Sequence, residues 1–177
     1  MHSVSEIADL FRDVPDFPKE GIVFKDVTTV LTHPGALGDS VTHLLGILED
    51  IEFDAVAAVE SRGFMFGGIV ADRMGIPLVL IRKPGKLPAD VISEDYTLEY
   101  GTNTIEMHCN SLARGSKVLI IDDLVATGGT ALATAELIRR DGSEPVAAAF
   151  LMDLRFLGGA QKLEDAGVPV RSLIKID

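Results

Sequence analysis

Residues 118–137, VLIIDDLVATGGTALATAEL, decide the fold because they pass from a buried strand through a small-residue loop into a helix. The run 118–121 is entirely apolar, which is typical of a parallel strand covered on both faces. Two adjacent acids, Asp122 and Asp123, follow, and we expect the strand to end in them. A short turn then leads to the loop, and a helix is predicted over 130–140.

The loop is suited to holding a phosphate. Successive N–H groups ahead of a helix N-terminus cradle an anion, and threonine hydroxyls add donors. The candidate residues are Ala126, Thr127, Gly128, Gly129 and Thr130. Adjacent carboxylates accept hydrogen bonds from neighbouring ribose hydroxyls, so acids and loop together indicate a ribose 5-phosphate. The alternative is a structural turn whose acids only favour the helix entry. No lysine precedes Thr130, so this is not the nucleotide-binding GxxxxGK[ST] loop.

Further apolar runs extend the strand–helix pattern on either side of this segment. Strands are predicted at 55–59, 78–81 and 146–151, and helices at 5–11, 35–48 and 64–74. Strands that alternate with helices predict an α/β fold with a mainly parallel sheet. Residues 15–26 carry two prolines and a glycine, and we expect an ordered but irregular arm there.

Residues 91–108 depart from this pattern. They alternate more regularly between polar and apolar side chains, which predicts an antiparallel hairpin. The surrounding stretch 87–110 holds five acids and no Lys or Arg. We interpret it as a flexible flap beside the sheet.

Composition limits the function classes. A chain of 177 residues suits one domain. The formal net charge of −11 argues against binding to nucleic acid or to an anionic membrane. The single cysteine, Cys109, excludes an internal disulfide. We find no signal-peptide pattern at the N-terminus and no apolar run long enough to span a bilayer, so a cytoplasmic location is expected.

The few cations are concentrated. Residues 62–86 carry a net charge of +4, which leaves −15 for the rest of the chain. Loops 60–63 and 82–86 follow two predicted strands, where the active sites of such sheets lie. Their cations suit a pyrophosphate, since Arg clasps it in a fork and Lys adds a point charge. The candidates are Arg62, Arg82 and Lys86; the alternative is a solvated basic turn.

Residues 118–137 resemble the phosphoribosyl pyrophosphate (PRPP) signature of type I phosphoribosyltransferases. The arm FPKEGIVFKD, with ESRGF, RKPGKLP and YTLEYGT, is similar to the adenine-using members rather than to their orotate or hypoxanthine relatives. The resemblance runs in order over about residues 17–157. It implies one phosphoribosyltransferase domain over 1–177, in which the arm 1–34 contributes to the base pocket and 87–110 forms the flap.

The resemblance also implies roles for single residues at the sugar and the base. Asp122 and Asp123 would contact the ribose hydroxyls, and the loop would hold the 5-phosphate. Val23 would contact the purine edge through its backbone, Phe24 would stack on the ring, and Lys25 would contact the substrate side of the pocket. Many family members have Arg where this chain has Lys25, so the planar fork is lost.

The flap would carry Glu99, which handles a proton on the purine, and Tyr100. The implied reaction is a pentosyl transfer from Mg-PRPP to adenine that yields AMP and pyrophosphate in purine salvage. Mg²⁺ would be bound mainly through PRPP, and the protein would be a homodimer. Two alternatives stay open, namely transfer to another purine (hypoxanthine, guanine or xanthine) and a PRPP-sensing regulator that binds nucleic acid. The net charge argues against the regulator.

Overall fold

The computed structural model describes residues 1–17, 19–98 and 101–177, which fall into two compact units, Met1–His43 and Leu44–Asp177. Among these residues, no helix combines the length and the apolar character that crossing a bilayer requires.

The first unit combines buried apolar side chains, among them Ile7, Val27 and Val30, with local polar contacts. Its first helix, α1 (Val4–Leu10), begins with a capping box in which Ser3 and Glu6 each bond the other's backbone N–H. Strands β1 (Arg12–Pro15) and β2 (Val23–Asp26) then pair antiparallel, and a short helix, α2 (Thr28–Thr32), follows. Helix α3 (Ala36–Gly46) begins in this unit and ends in the second.

The expectation of an irregular arm over 15–26 is wrong for both ends of that segment. Pro15 closes β1 opposite Val23, at the end of the strand where a proline is tolerated, and β2 runs from Val23 to Asp26. Arg12 Nη2 lies 2.5 Å from Asp26 Oδ2. This ion pair joins the two strands at the end opposite their connection.

The second unit contains a five-stranded parallel sheet in the order β4-β3-β7-β8-β9. Its strands are β3 (Ala55–Val59), β4 (Leu78–Ile81), β7 (Lys117–Val125), β8 (Glu144–Leu154) and β9 (Val170–Ile176). The helices are α4 (Gly63–Met74), α5 (Gly129–Arg140) and α6 (Gly159–Asp165), with a short 3-10 helix at Arg155–Leu157. Strands β5 (Val91–Leu98) and β6 (Gly101–His108) form a separate antiparallel pair. The predicted α/β fold with an antiparallel flap pair is confirmed.

Helices cover both faces of this sheet. Gly67 of α4 lies against Ala58 and Val56, where a Cβ would come 2.6 Å from the Ala58 Cβ. The α5 side chains instead share a core with Ala57 and Val59, which point to the opposite face because side chains alternate along a strand. The apolar runs in β3, β7 and β8 are therefore mostly buried on both sides, whereas the edge strand β4 leaves Leu78 exposed.

Asp26 gives the first unit a pH-dependent contribution to stability. The Thr28 N–H, together with Arg12, lowers the pKa of Asp26 to about 2. A depressed pKa stabilises the fold above the ordinary carboxyl range, and that contribution is lost as the pH falls toward the folded pKa. We expect Asp26→Asn to lower the free energy of unfolding at pH 7 by about 1–2 kcal/mol.

Urea unfolding between pH 7 and pH 2 measures this effect. The difference between wild type and Asp26→Asn should shrink as the pH falls from about 5 to about 2. Asp9→Asn, at an exposed acid of α1, is the control, and equal losses from both variants would contradict the prediction.

Candidate active site

The order of the strands places a cavity at one end of the sheet. The chain runs from β3 outward to β4 on one side, and from β7 to β8 and β9 on the other. Such a reversal between neighbouring parallel strands opens a crevice at their carboxyl ends. A cavity of about 280 Å³ lies there, lined by the ends of β3, β4 and β7 and by the loop that follows β7.

The phosphate-loop candidates all line this cavity. They are Ala126, Thr127, Gly128, Gly129 and Thr130, and α5 begins at the fourth of them. Gly128 caps the helix with φ 81°, a left-handed conformation that glycine adopts without strain. The loop therefore directs the start of a 12-residue helix toward the cavity, as an anion site requires.

Helix α6 supports this loop through hydrogen bonds to its carbonyl groups. The Gly159 N–H donates to Ala126 O at 3.0 Å, and Lys162 Nζ donates to Thr127 O at 3.3 Å. A Cβ on Gly159 would lie 2.2 Å from Ala126 O, so the two backbones touch directly. The sequence analysis missed this segment because a seven-residue helix carries little periodic signal.

Asp122 and Asp123 both line the cavity, but they do not end the strand. Strand β7 continues to Val125 because Leu124 and Val125 remain paired with β8, so the expected turn at 124–125 is wrong. Adjacent strand residues point to opposite faces, and the two carboxylates consequently have different surroundings. Burial, reinforced by the neighbouring Asp123 carboxylate, raises the pKa of Asp122 well above its usual value.

Asp123 is almost fully buried and carries an ion pair. Arg62 Nε lies 2.6 Å from Asp123 Oδ2, with the Asp123 side chain 2% exposed. Arg62 immediately precedes α4, and Gly63 lies so close to β7 that a Cβ would come 2.7 Å from Ile121 O. The missing side chain of Gly63 thus permits the approach that joins Arg62 to Asp123.

A second arginine is paired in the same cavity. Arg82 Nε lies 3.1 Å from Glu60 Oε2, and the Lys83 N–H donates to the same oxygen at 3.1 Å. Burial opposes ionisation of Glu60, but these two donors outweigh it and lower its pKa. Lys83 lines the cavity, whereas Lys86 is exposed and lies outside that lining, with its carbonyl accepting from Arg82 at 3.0 Å.

The base-site candidates belong to the first unit. Val23 is 51% exposed, and Phe24 makes an edge contact with Phe17 at 5.2 Å between ring centroids. Lys25 Nζ lies 2.6 Å from Asp13 Oδ1, so its charge is compensated within the strand pair. Glu99 and Tyr100 lie outside the described residues, and their roles stay predictions.

Three further polar residues line the cavity without having been predicted: Glu60, Lys83 and Tyr96. Glu60 and Lys83 follow two predicted apolar strands. That position at the carboxyl ends of the strands is the sequence signal that could have identified them as site residues. Tyr96 lies on the flap strand β5. It reaches the cavity only through the packing of the hairpin, which the sequence pattern does not reveal. Among residues 1–17, 19–98 and 101–177, no group of three or more His, Cys, Asp or Glu side chains could hold a metal ion.

Residues 26–174 match the family model described as the phosphoribosyl transferase domain. The chain belongs to the phosphoribosyltransferase family. An adenine phosphoribosyltransferase of Erythrobacter litoralis is 49% identical over 175 residues, 99% of this chain and 98% of the relative. One from Methylorubrum extorquens is 46% identical over 173 residues, 98% of this chain and 96% of the relative.

Solved structures of the family agree with this match. The adenine phosphoribosyltransferase of Thermoanaerobacter pseudethanolicus superposes with a TM-score of 0.94 at 46% identity, covering 98% of this chain and 100% of that one. The Giardia lamblia enzyme, complexed with 9-deazaadenine, gives a TM-score of 0.93 at 36% identity, with 100% and 99% covered.

A substitution at the contact between α6 and the phosphate loop should weaken ligand binding. In Gly159→Ala the new methyl meets backbone atoms of Ala126 and Gly128, so the loop must shift. We expect binding of ribose 5-phosphate to weaken at least about tenfold, as measured by isothermal titration calorimetry. Gly68→Ala, on α4 with nothing within 4 Å of the new Cβ, should bind as wild type does. Wild-type affinity in Gly159→Ala would refute the supporting role of α6.

The raised pKa of Asp122 predicts a stability gain on its removal. Folding becomes less favourable as the pH rises above about 4, because the unfolded chain ionises Asp122 first. We expect Asp122→Asn to raise Tm by roughly 2–4 °C at pH 8, with no gain at about pH 4. Asp123→Asn should instead lower Tm, since it leaves Arg62 beside a neutral amide. Thermal scans of both variants across this pH range make the test, and a pH-independent effect of Asp122→Asn would contradict it.

Proposed function

We propose that this protein transfers the 5-phosphoribosyl group of PRPP to adenine, giving AMP and pyrophosphate in purine salvage. The observation that carries the proposal is the near-complete match to adenine phosphoribosyltransferases at 46–49% identity. The relative from Saccharomyces cerevisiae, 35% identical with a TM-score of 0.87, is complexed with adenine and an imino-altritol bisphosphate. That chemistry of base and doubly phosphorylated sugar fits the cavity described above.

The 5-phosphate is assigned to the loop from Ala126 to Thr130. Its backbone donors and the threonine hydroxyls suit a group that only accepts hydrogen bonds, and the start of α5 favours its negative charge. Asp122 and Asp123, in the same cavity, are assigned to the ribose hydroxyls. The raised pKa of Asp122 is compatible with this task, since a protonated carboxyl group still accepts hydrogen bonds.

Arg62, Arg82 and Lys86 are assigned to the pyrophosphate. Arg62 and Arg82 line the cavity, and the Nε of each faces a carboxylate, Asp123 and Glu60 respectively. A guanidinium group has five N–H donors, so each arginine can bind a phosphate and keep its carboxylate partner. Both ion pairs then stay compensated in the free and bound states. Lys86 is exposed on the adjoining loop and can add charge from the rim.

Mg²⁺ takes oxygen ligands and keeps several of its waters. Of the three carboxylates that line the cavity, Glu60 and Asp123 are each held by an arginine, and the raised pKa of Asp122 makes that carboxyl a poor ligand for a cation. The donor set therefore fits an ion whose ligands come mainly from PRPP. When bound, Mg²⁺ offsets part of the charge on the leaving pyrophosphate.

The chain's own groups stabilise the transfer by charge and position. As pyrophosphate leaves, positive charge develops on the sugar C1, and adenine N9 attacks from the opposite face. Fixed arginines beside the leaving group favour this separation of charge. Glu99 is assigned to accept or relay a purine proton, with Tyr100 beside it in the flap, and closure of the flap would exclude water.

The base is assigned to the arm of the first unit. Val23 offers its backbone to the purine edge, Phe24 its ring for stacking, and Lys25 a charge on the substrate side. The Lys25–Asp13 pair compensates part of that charge. We further infer that the protein acts in the cytoplasm as a homodimer, as the family resemblance implies.

A base screen tests the proposed function. Purified protein with Mg-PRPP is expected to consume adenine and release one pyrophosphate per AMP, followed by absorbance and by a coupled pyrophosphate assay. Omission of PRPP is the control for other routes of adenine loss. Faster transfer to hypoxanthine, guanine or xanthine would overturn the choice of base, and PRPP binding without turnover on any base would favour a sensor.

A further inference from the structure

Tyr96 connects the flap to the phosphate loop. Its hydroxyl oxygen lies 3.1 Å from Thr130 Oγ1, and both residues line the cavity. The Tyr96 ring is half-buried and packs against the core that α5 shares with the sheet. The hydroxyl is therefore held at the loop by an anchored ring rather than by a free surface side chain.

The rest of the described flap strand lies along the same helix. Ile92 packs against the α5 core, and Glu94 pairs with Arg140 at 2.7 Å, with Arg140 Nη1 also donating to Ser93 O at 2.7 Å. Residues 92, 94 and 96 share one face of β5, because side chains alternate along a strand. Strand β5 is thus fixed at both ends of α5, and Tyr96 makes the contact at the end that carries the phosphate loop.

The hydroxyls of Tyr96 and Thr130 differ from a phosphate in their capacity to form hydrogen bonds. Each hydroxyl can donate one hydrogen bond and accept others, whereas a phosphate oxygen without protons only accepts. When Thr130 donates to the 5-phosphate, its own oxygen stays available and the Tyr96 hydroxyl can donate to it. Tyr96 then fixes the direction of the Thr130 proton toward the ligand.

We infer that Tyr96 is a positioning residue for the 5-phosphate, acting through Thr130, and that it ties occupancy of the phosphate loop to the flap strand. The inference rests on the proposed function, which assigns Thr130 to the 5-phosphate. Tyr96 precedes Glu99 by three residues in the sequence, so the contact lies next to the segment assigned to proton transfer. A bound sugar phosphate thereby helps to hold the strand that leads to Glu99.

Tyr96→Phe keeps the ring and removes the hydroxyl. Loss of one hydrogen bond of this kind predicts about fivefold weaker binding of ribose 5-phosphate and a similar rise in the KM for PRPP. Pyrophosphate binding and the KM for adenine should stay within about twofold of wild type. Titration calorimetry with ribose 5-phosphate and with pyrophosphate gives the affinities without requiring turnover.

A double-mutant cycle tests whether Tyr96 acts through Thr130. Thr130→Val removes the partner hydroxyl, and adding Tyr96→Phe to it should cost little further affinity for ribose 5-phosphate. Thr130→Ser, which keeps the hydroxyl, should retain the dependence on Tyr96. Arg140→Gln, which removes the flap contact at the other end of α5, is the matched control and should leave ribose 5-phosphate affinity within about twofold of wild type.

The outcomes separate this inference from the proposed function. Unchanged ribose 5-phosphate affinity in Tyr96→Phe, equal losses for ribose 5-phosphate and pyrophosphate, or additivity with Thr130→Val would each overturn the positioning role while adenine transfer by wild type persists. Equal losses from Arg140→Gln would also overturn it, because general support of the flap would then explain the effect. Lack of adenine transfer by wild type would instead overturn the proposed function.

Discussion

The close approach of α4 to β7 is the constraint on which the site depends. Gly63 lies where a Cβ would come 2.7 Å from Ile121 O and 3.1 Å from the Asp122 Cα, so any larger residue would push the helix away from the strand. Because α4 starts here, Arg62 reaches Asp123 across the reversal point of the sheet. The place where α4 starts, and with it the position of Arg62 in the cavity, follows from this contact.

The free site neutralises its own charges. The concentrated cations of residues 62–86 suggest a strongly positive pocket, yet Arg62 and Arg82 each face a carboxylate within about 3 Å. Unpaired guanidinium groups in such a partly buried site would be costly, and the acid partners remove that cost. In the free site both arginines are therefore compensated by carboxylates of the same cavity.

The sequence predicts four of the five sheet strands because each holds a continuous apolar run, whereas β9 is only partly buried and carries no such run. The bounds of β3 and β4 agree with the apolar runs at 55–59 and 78–81, and α4 and α5 begin within one residue of the expected positions. Strand β7 extends past the acids because pairing with β8 outweighs local composition. The ion pairs could not be predicted, since Arg62 and Asp123 meet only through the fold, and α6 gave too short a pattern.

The support of the phosphate loop by α6 has a consequence for synthesis. The loop ends at Thr130, whereas the backbone on which it rests begins at Gly159, so a growing chain contains the binding sequence well before its support. Local propensity can start α5 during this interval, but Ala126 O and Thr127 O acquire their partners only when α6 has been made. The folded form of the loop is therefore completed only after residues 159–162 have been added, and not with the segment that encodes it.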